Sequence, residues 1–173
     1  GAVFIEAGPW LRAQWFPRPG ETGWFEPTCR EVRATRTAVG VCDVSTLGKI
    51  DVQGPDAARF LDRVYANTMS TLAVGRVRYG LMLREDGFVM DDGTAARLAP
   101  DRFLVTTTTA NAVNVYQHMH FCHPVLWPNL DVQFVSVTDQ WAQFAVAGPR
   151  SRELLQRVLR ADCDISNAAF PYM

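Results

Sequence analysis

A chain of 173 residues with 48% hydrophobic content is long enough to bury a sizeable core, so one large domain, or one domain with an appended segment, is expected. Its 17 Lys and Arg against 18 Asp and Glu leave a net charge of -1 with no dense basic run, which removes the electrostatic footprint of a nucleic-acid binder. No apolar run approaches a bilayer span and the N-terminus lacks the pattern of a secretory leader, so the reading is a cytoplasmic chain without membrane or nucleic-acid partners.

Residues 1–28 interleave Trp10, Trp15, Phe16, Trp24 and Phe25 with Pro9, Pro17, Pro19 and Pro27. Prolines this dense forbid a long helix, while the aromatics need something to bury against, so an ordered but irregular arm is expected. Packing against a core or subunit is the commoner use of such aromatics, and a ligand-lining box the rarer one. From Glu26 a helix of two to three turns fits, ending at Gly40, and Val41 to Val44 reads as a short strand. After the turn Ser45-Thr46-Leu47-Gly48 come a strand, Lys49 to Val52, and a helix opened by Gly54-Pro55-Asp56. That helix runs to about Tyr65 with Ala57, Phe60, Leu61 and Val64 on one stripe.

The segment Tyr79 to Gly93, YGLMLREDGFVMDDG, reads as a β-hairpin with arms Val77–Leu83 and Phe88–Met90 around Glu85-Asp86-Gly87. Two carboxylates, Asp91 and Asp92, follow the second arm directly. If the strand continues through them, alternation sends one toward the hydrophobic face, which is costly unless it is hydrogen-bonded or paired. If the strand ends at Met90, they simply cap a turn. A strand from Arg102 to Thr108 follows, then a helix from Ala110 to about Cys122 that stops before Pro124. Val132 to Val137 and Gln143 to Val146 give two more strands.

One phrase recurs: VQGPDAARFLDRV at 52–64 matches VAGPRSRELLQRV at 146–158 at Val52/Val146, Gly54/Gly148, Pro55/Pro149, Leu61/Leu155, Arg63/Arg157 and Val64/Val158. Two strand, Gly-Pro, helix units favour a repeat over coincidence. The expected class is α+β, with antiparallel sheets, packed helices and pseudo-repeated split β-α-β units.

HMHFCHP offers His118 with Cys122 and His120 with His123 at helical spacings, but the pairs lie on different faces with no carboxylate close in sequence. A partly exposed helix end is the better reading, and no metal site is assigned. Cys29, Cys42, Cys122 and Cys163 are widely spaced without C-x-x-C, as in a reducing compartment. Neither a nucleophile elbow nor a glycine-rich nucleotide loop occurs. The start at Gly1 and the unfinished end Phe170-Pro171-Tyr172-Met173 suggest a fragment of something longer.

The block RTAVGVCDVSTLGKIDVQGPDAARFLDRV, with Tyr79-Gly80-Leu81-Met82-Leu83, Glu85-Asp86-Gly87 and Met90-Asp91-Asp92-Gly93, closely resembles the N-terminal part of the glycine-cleavage T-protein family. Those aminomethyltransferases bind tetrahydrofolate. The resemblance covers roughly residues 29–173, the N-terminal part of a folate-binding domain, with 1–28 as an appended arm. That arm, with GAVFIEAGPW and its spaced tryptophans, is closer to the T-protein-like half of heterotetrameric sarcosine oxidase alpha subunits, as is DVSTLGKIDVQGPDA.

The resemblance implies that Asp92 is the essential aspartate at the reacting end of the folate and that Tyr79 contacts folate. Thr108 stands where T-proteins commonly carry a pterin-holding asparagine, and Leu47 where they carry methionine. It further implies a tetrahydrofolate-binding part of an oxidase. This part would accept the one-carbon unit from sarcosine demethylation to give 5,10-methylenetetrahydrofolate, with flavin and NAD held elsewhere and other subunits as partners. Asp91, on the other face, would be a turn or surface residue, and the isolated fragment would be inactive. A T-protein-like aminomethyltransferase and a folate-sensing or assembly module without catalysis are the alternatives, and sarcosine is not distinguished from dimethylglycine.

Overall fold

The computed structural model describes all 173 residues. In chain order the elements are β1 (Val3–Ala7), β2 (Trp10–Trp15), α1 (Phe25–Thr37), β3 (Gly40–Asp43), β4 (Gly48–Gln53), α2 (Ala57–Val64), β5 (Val77–Leu83), β6 (Val89–Ala99), β7 (Arg102–Thr107), α3 (Ala112–Phe121), β8 (Gln133–Ser136), β9 (Phe144–Ala147) and α4 (Ser151–Val158). They form two compact units, Gly1–Thr46 with Ala142–Tyr172, and Leu47–Trp141. The mixture of antiparallel sheets with a few packed helices is the expected α+β class.

The unit 47–141 is built on a five-stranded sheet of order β5-β6-β7-β4-β8, antiparallel at every pairing. Its core lies on one face. Ile50 and Val52 from β4, Met82 from β5, Ala95 from β6 and Phe103 and Val105 from β7 meet Phe60, Leu61 and Val64 of α2 and Val115 and Met119 of α3. The apolar stripe read from the sequence of α2 is the buried one, and its Phe60 stacks on Phe134 of β8 at 5.4 Å between ring centroids. Burial of each such side chain stabilises by about 1.5–3 kcal/mol.

Two elements run past their expected ends. Helical structure does not stop before Pro124: α3 continues into a π-helical turn, Cys122–Leu126, closed by the Trp127 N–H on the carbonyls of Cys122 and His123. The wider turn reaches over the proline, whose missing N–H is thereby not required. Strand β6 does not end at Met90 either, but carries Asp91 and Asp92 in its interior. Just before them the ladder slips: Met82 pairs with Asp91 but Leu83 pairs with Val89, so Met90 is the extra residue of a β-bulge.

The other unit holds a β1–β2 hairpin, α1, α4 and a two-stranded β3–β9 ladder. The hairpin replaces the irregular arm expected from the prolines. Gly8, at φ 61, and Pro9 make its two-residue turn, and Pro17 and Pro19 fall beyond β2, so no proline interrupts a ladder. The chain after β2 is clamped to α1. Both oxygens of Glu21 accept from the Arg30 guanidinium at 2.8 and 2.9 Å, and Arg30 also donates to the Phe16 carbonyl at 2.7 Å.

The repeated phrase forms the same device twice. Gly54 (φ 130) and Gly148 (φ 119) have backbone that other residues rarely adopt, and a Cβ on either would strike a carbonyl oxygen, of Asp131 or of Thr35. Ala57 N–H then bonds to the Gly54 carbonyl at 3.0 Å, as Ser151 N–H does to Gly148 at 3.1 Å, and an eight-residue helix follows each.

Candidate functional site

Strand alternation gives the five-stranded sheet two different faces. The core takes one. On the other, the register sets Lys49 of β4 opposite Thr106 of β7, and Tyr79 of β5 opposite Thr94 of β6. The hydroxyls of Thr94 and Thr106 join across the intervening pair at 2.8 Å, so a polar row crosses four strands. Lys49 at one end is 2% exposed, its ammonium donating to the Leu47 carbonyl at 2.9 Å, while Tyr79 at the other end is 48% exposed.

Asp92 stands on this second face beside Tyr79, whose phenol donates to Asp92 Oδ2 at 2.7 Å. The pairing is diagonal, since Asp92 lies opposite Leu81 and Tyr79 opposite Thr94, a separation that a tyrosine can bridge. The carboxylate holds the Tyr79 hydroxyl above its usual range, because the hydrogen bond favours the protonated phenol. Tyr79 is therefore a fixed donor at neutral pH, and it engages only Oδ2 of Asp92, leaving Oδ1 as an acceptor.

Asp91 points the other way and is buried, at 5% exposure, instead of lying in a surface turn. The continuing strand sends it to the core face, and donors from the loop after β7 offset the cost of burying it. Thr108 gives its N–H to Oδ2 at 3.1 Å and its O–H to Oδ1 at 2.6 Å, and Asn111 Nδ2 approaches Oδ1 at 3.4 Å while bonding the Met90 carbonyl at 3.0 Å.

Of the four residues singled out in the sequence, Asp92 and Tyr79 are brought together. Thr108 is joined to Asp91, and Leu47 is linked only through its carbonyl to Lys49. The residues missed were Asp91, Asn111 and Lys49. Reading β6 through both aspartates would have flagged Asp91 as the carboxylate in need of donors. A lysine between Gly48 and Ile50 in a central strand was the signal for Lys49.

The histidines serve three separate purposes. His118 lies 3.4 Å from the Cys122 sulfur, His120 packs between Tyr116 and Phe134, and His123 Nε2 donates to the Leu130 carbonyl at 2.8 Å. Burial pushes His118 down and Cys122 up from their usual values. No three His, Cys, Asp or Glu side chains converge as metal ligands, all four cysteines are free thiols, and no helix is long and apolar enough to cross a membrane.

The GCVT N-terminal domain family matches residues 1–173. The sarcosine oxidase subunit alpha of Rhizobium meliloti (strain 1021) is 58% identical over 173 residues, which is 100% of this chain and 17% of that protein. An aminomethyltransferase of Geobacillus sp. (strain WCH70) is 34% identical over 163 residues, 94% of this chain and 41% of that one. The crystal structure of glycine cleavage system aminomethyltransferase T from Bartonella henselae superposes with a TM-score of 0.78 over 94% of this chain and 42% of that chain, at 23% identity. The chain thus spans well under half the length of each of these relatives.

Proposed function

The chain belongs to the GCVT N-terminal domain family, and from that premise we propose that it is the tetrahydrofolate-binding part of a sarcosine oxidase alpha subunit, in which it receives the one-carbon unit released by oxidative demethylation. The 58% identity to a sarcosine oxidase subunit alpha along the whole chain favours this setting over a free-standing aminomethyltransferase, at 34%. Flavin and NAD belong to other parts of such a protein, and other subunits are its partners.

The observation that carries the reading is the Asp92–Tyr79 pair on the sheet face opposite the core. A flat heteroaromatic ligand with N–H groups needs an apolar surface to lie against and an acceptor in reach; a half-exposed phenol beside a carboxylate with one uncommitted oxygen fits that need. Tetrahydrofolate, when bound, supplies the nitrogens that take up the one-carbon unit. Asp92 accepts the proton that a nitrogen sheds on becoming a nucleophile and offsets the positive charge that develops there, which is general-base and electrostatic work for one carboxylate. Tyr79 keeps Asp92 in one rotamer through its 2.7 Å bond. The Thr94–Thr106 hydroxyl bond ties β6 to β7 beside them.

The test is product analysis in the complete enzyme with tetrahydrofolate present. Asp92→Asn keeps the side chain's size but cannot take up the proton, so amine oxidation continues while the one-carbon unit leaves as free formaldehyde in place of methylene-tetrahydrofolate. Asp86→Asn, on the exposed turn of the same hairpin, is the control. An unchanged methylene-tetrahydrofolate yield in Asp92→Asn overturns the role given to Asp92.

A further inference from the structure

The repeated Gly-Pro phrase fixes how the two larger sheets correspond. In each copy the residue two places after the glycine gives its N–H to a carbonyl two residues ahead of a neighbouring strand: Asp56 to Asp131 ahead of β8, Arg150 to Ala38 ahead of β3. The registers agree, since Gln53 pairs with Gln133 as Ala147 pairs with Gly40. Strand β9 is thus the counterpart of β4, and β3 of β8. But β4 has a partner on each side, β7 and β8, whereas β9 has β3 alone. Val44 N–H bonds the Gln143 carbonyl at 2.8 Å, and from that pair antiparallel alternation turns the amides of Ala145 and Ala147 toward β3 and those of Phe144, Val146 and Gly148 away from it. In the other copy Gly54 N–H, which matches Gly148, donates at 2.9 Å to the carbonyl of Asp101, just ahead of β7. Side chains repeat the contrast: Ile50 and Val64 are buried, while Phe144 and Val158 in their places are exposed. Open edges are ordinarily blunted by charge or proline, and Phe144–Ala147, FAVA, carries neither.

We infer that the free edge of β9 is a docking edge for a strand of the same polypeptide from outside residues 1–173, the counterpart of β7. Chain order places that strand after α4: β7 begins at Arg102, 38 residues after α2 ends at Val64, and the same interval after Val158 passes beyond Met173. The Rhizobium meliloti sarcosine oxidase subunit alpha, of which this chain covers 17%, has ample length for it. The strand pairs antiparallel with Phe144–Ala147, and the residue just ahead of it offers a carbonyl to Gly148 N–H. Recognition is by main-chain strand addition, with side chains on alternate positions covering Phe144 and Val146. Preceded by its own hairpin, as β7 is by β5 and β6, it completes a second five-stranded sheet and covers Leu154, Leu155 and Val158 of α4.

Residue-resolved hydrogen exchange on the complete enzyme tests this. The amides of Phe144, Val146 and Gly148 should exchange as slowly as those of Ile50, Val52 and Gly54, their counterparts in the finished sheet. Exchange at the rate of an open edge overturns the inference. Val146→Pro removes an N–H that β3 does not use, so slow exchange should be lost at Phe144 and Gly148 and kept at Ala145 and Ala147. Retained slow exchange at Phe144 and Gly148 in that variant would mean that the edge is merely crowded and not paired. The occupant is identified by placing the photo-crosslinker p-benzoylphenylalanine at Phe144. The adduct should leave the subunit at its own mass on a denaturing gel and map to residues after 173. An adduct to another subunit, to a second copy of this one, or to residues ahead of Gly1 refutes the assignment.

Discussion

Helices α2 and α4 are spelled by nearly the same phrase and begin in the same way, yet their fates differ. Ala57, Phe60, Leu61 and Val64 of α2 are all buried, whereas α4 has no buried residue. The bonds that shape them correspond one for one: Tyr65 N–H closes α2 on Leu61 as Leu159 closes α4 on Leu155, and Asp56 N–H reaches the carbonyl of Asp131 as Arg150 N–H reaches that of Ala38. Local sequence therefore dictates the strand, glycine, proline, helix device, but not what that device is worth. The worth comes from packing, which in the unit 47–141 is a closed core and in the other unit leaves Pro27, Thr46 and Ile165 as the buried residues.

The comparison breaks most visibly at the aromatic anchor. Phe60→Ala should destabilise by about 3–5 kcal/mol in urea unfolding of the 173-residue chain, as for other buried aromatics, while Leu154→Ala at the corresponding place in α4 should cost less than about 1 kcal/mol. Equal losses would mean that α4 is as well packed as α2. Glycine sharpens the point by reversing it. Gly54→Ala and Gly148→Ala should each cost about 1–3 kcal/mol, since both meet a left-handed backbone and a carbonyl in the way whatever the burial of the helix beyond.

Smaller still is the effect of alkaline pH. Burial, reinforced by the Asp91 carboxylate, pushes the Tyr65 phenol above its usual range. Its folded pKa is raised, so the contribution is complete below the unfolded value of about 10 and is lost as pH rises beyond it. Tyr65→Phe should flatten that limb of the stability curve, read from unfolding midpoints between about pH 9 and 11. The weakest effect lies in the other unit, where the Arg30 guanidinium holds Glu21 down at about 2. A depressed carboxylate contributes above its unfolded pKa of about 4.3 and loses that contribution as pH falls toward the folded value. Because the pair is open to solvent and screened, Glu21→Gln should change acid unfolding only slightly, and less so in high salt.

Much of this was legible in the chain itself. Except for β6, expected as far as Met90 but running to Ala99, every strand and helix of the unit 47–141 stands within a few residues of where periodicity sets it, because its apolar positions follow the periods of the elements that bury them. The failures share a cause. Pro9 argued against regular structure in the first residues because the sequence did not reveal that it would occupy a turn, where a missing N–H costs nothing. Asp91 was expected in a turn or at the surface because a buried carboxylate is costly in isolation. The donors that make it affordable, Thr108 and Asn111, lie seventeen and twenty residues away and only the fold brings them close. The site was half readable for the same reason: Tyr79 and Asp92 share a hairpin, whereas the partner of Thr108 depends on which way β6 faces.

That facing is settled by the bulge at Met90. With one residue left out of the count, the turn from Arg84 to Phe88 is uncoupled from the ladder beyond it, which resumes at Met82 and Asp91 and is locked there by Thr108. Two neighbouring carboxylates are chemically identical, and parity alone decides which becomes the inner one and which the outer. A homologue can therefore lengthen, shorten or recompose the tip of this hairpin freely so long as the bulge absorbs the change. Variation should collect on the near side of Met90, and a residue gained or lost on its far side should exchange the faces to which the two aspartates point.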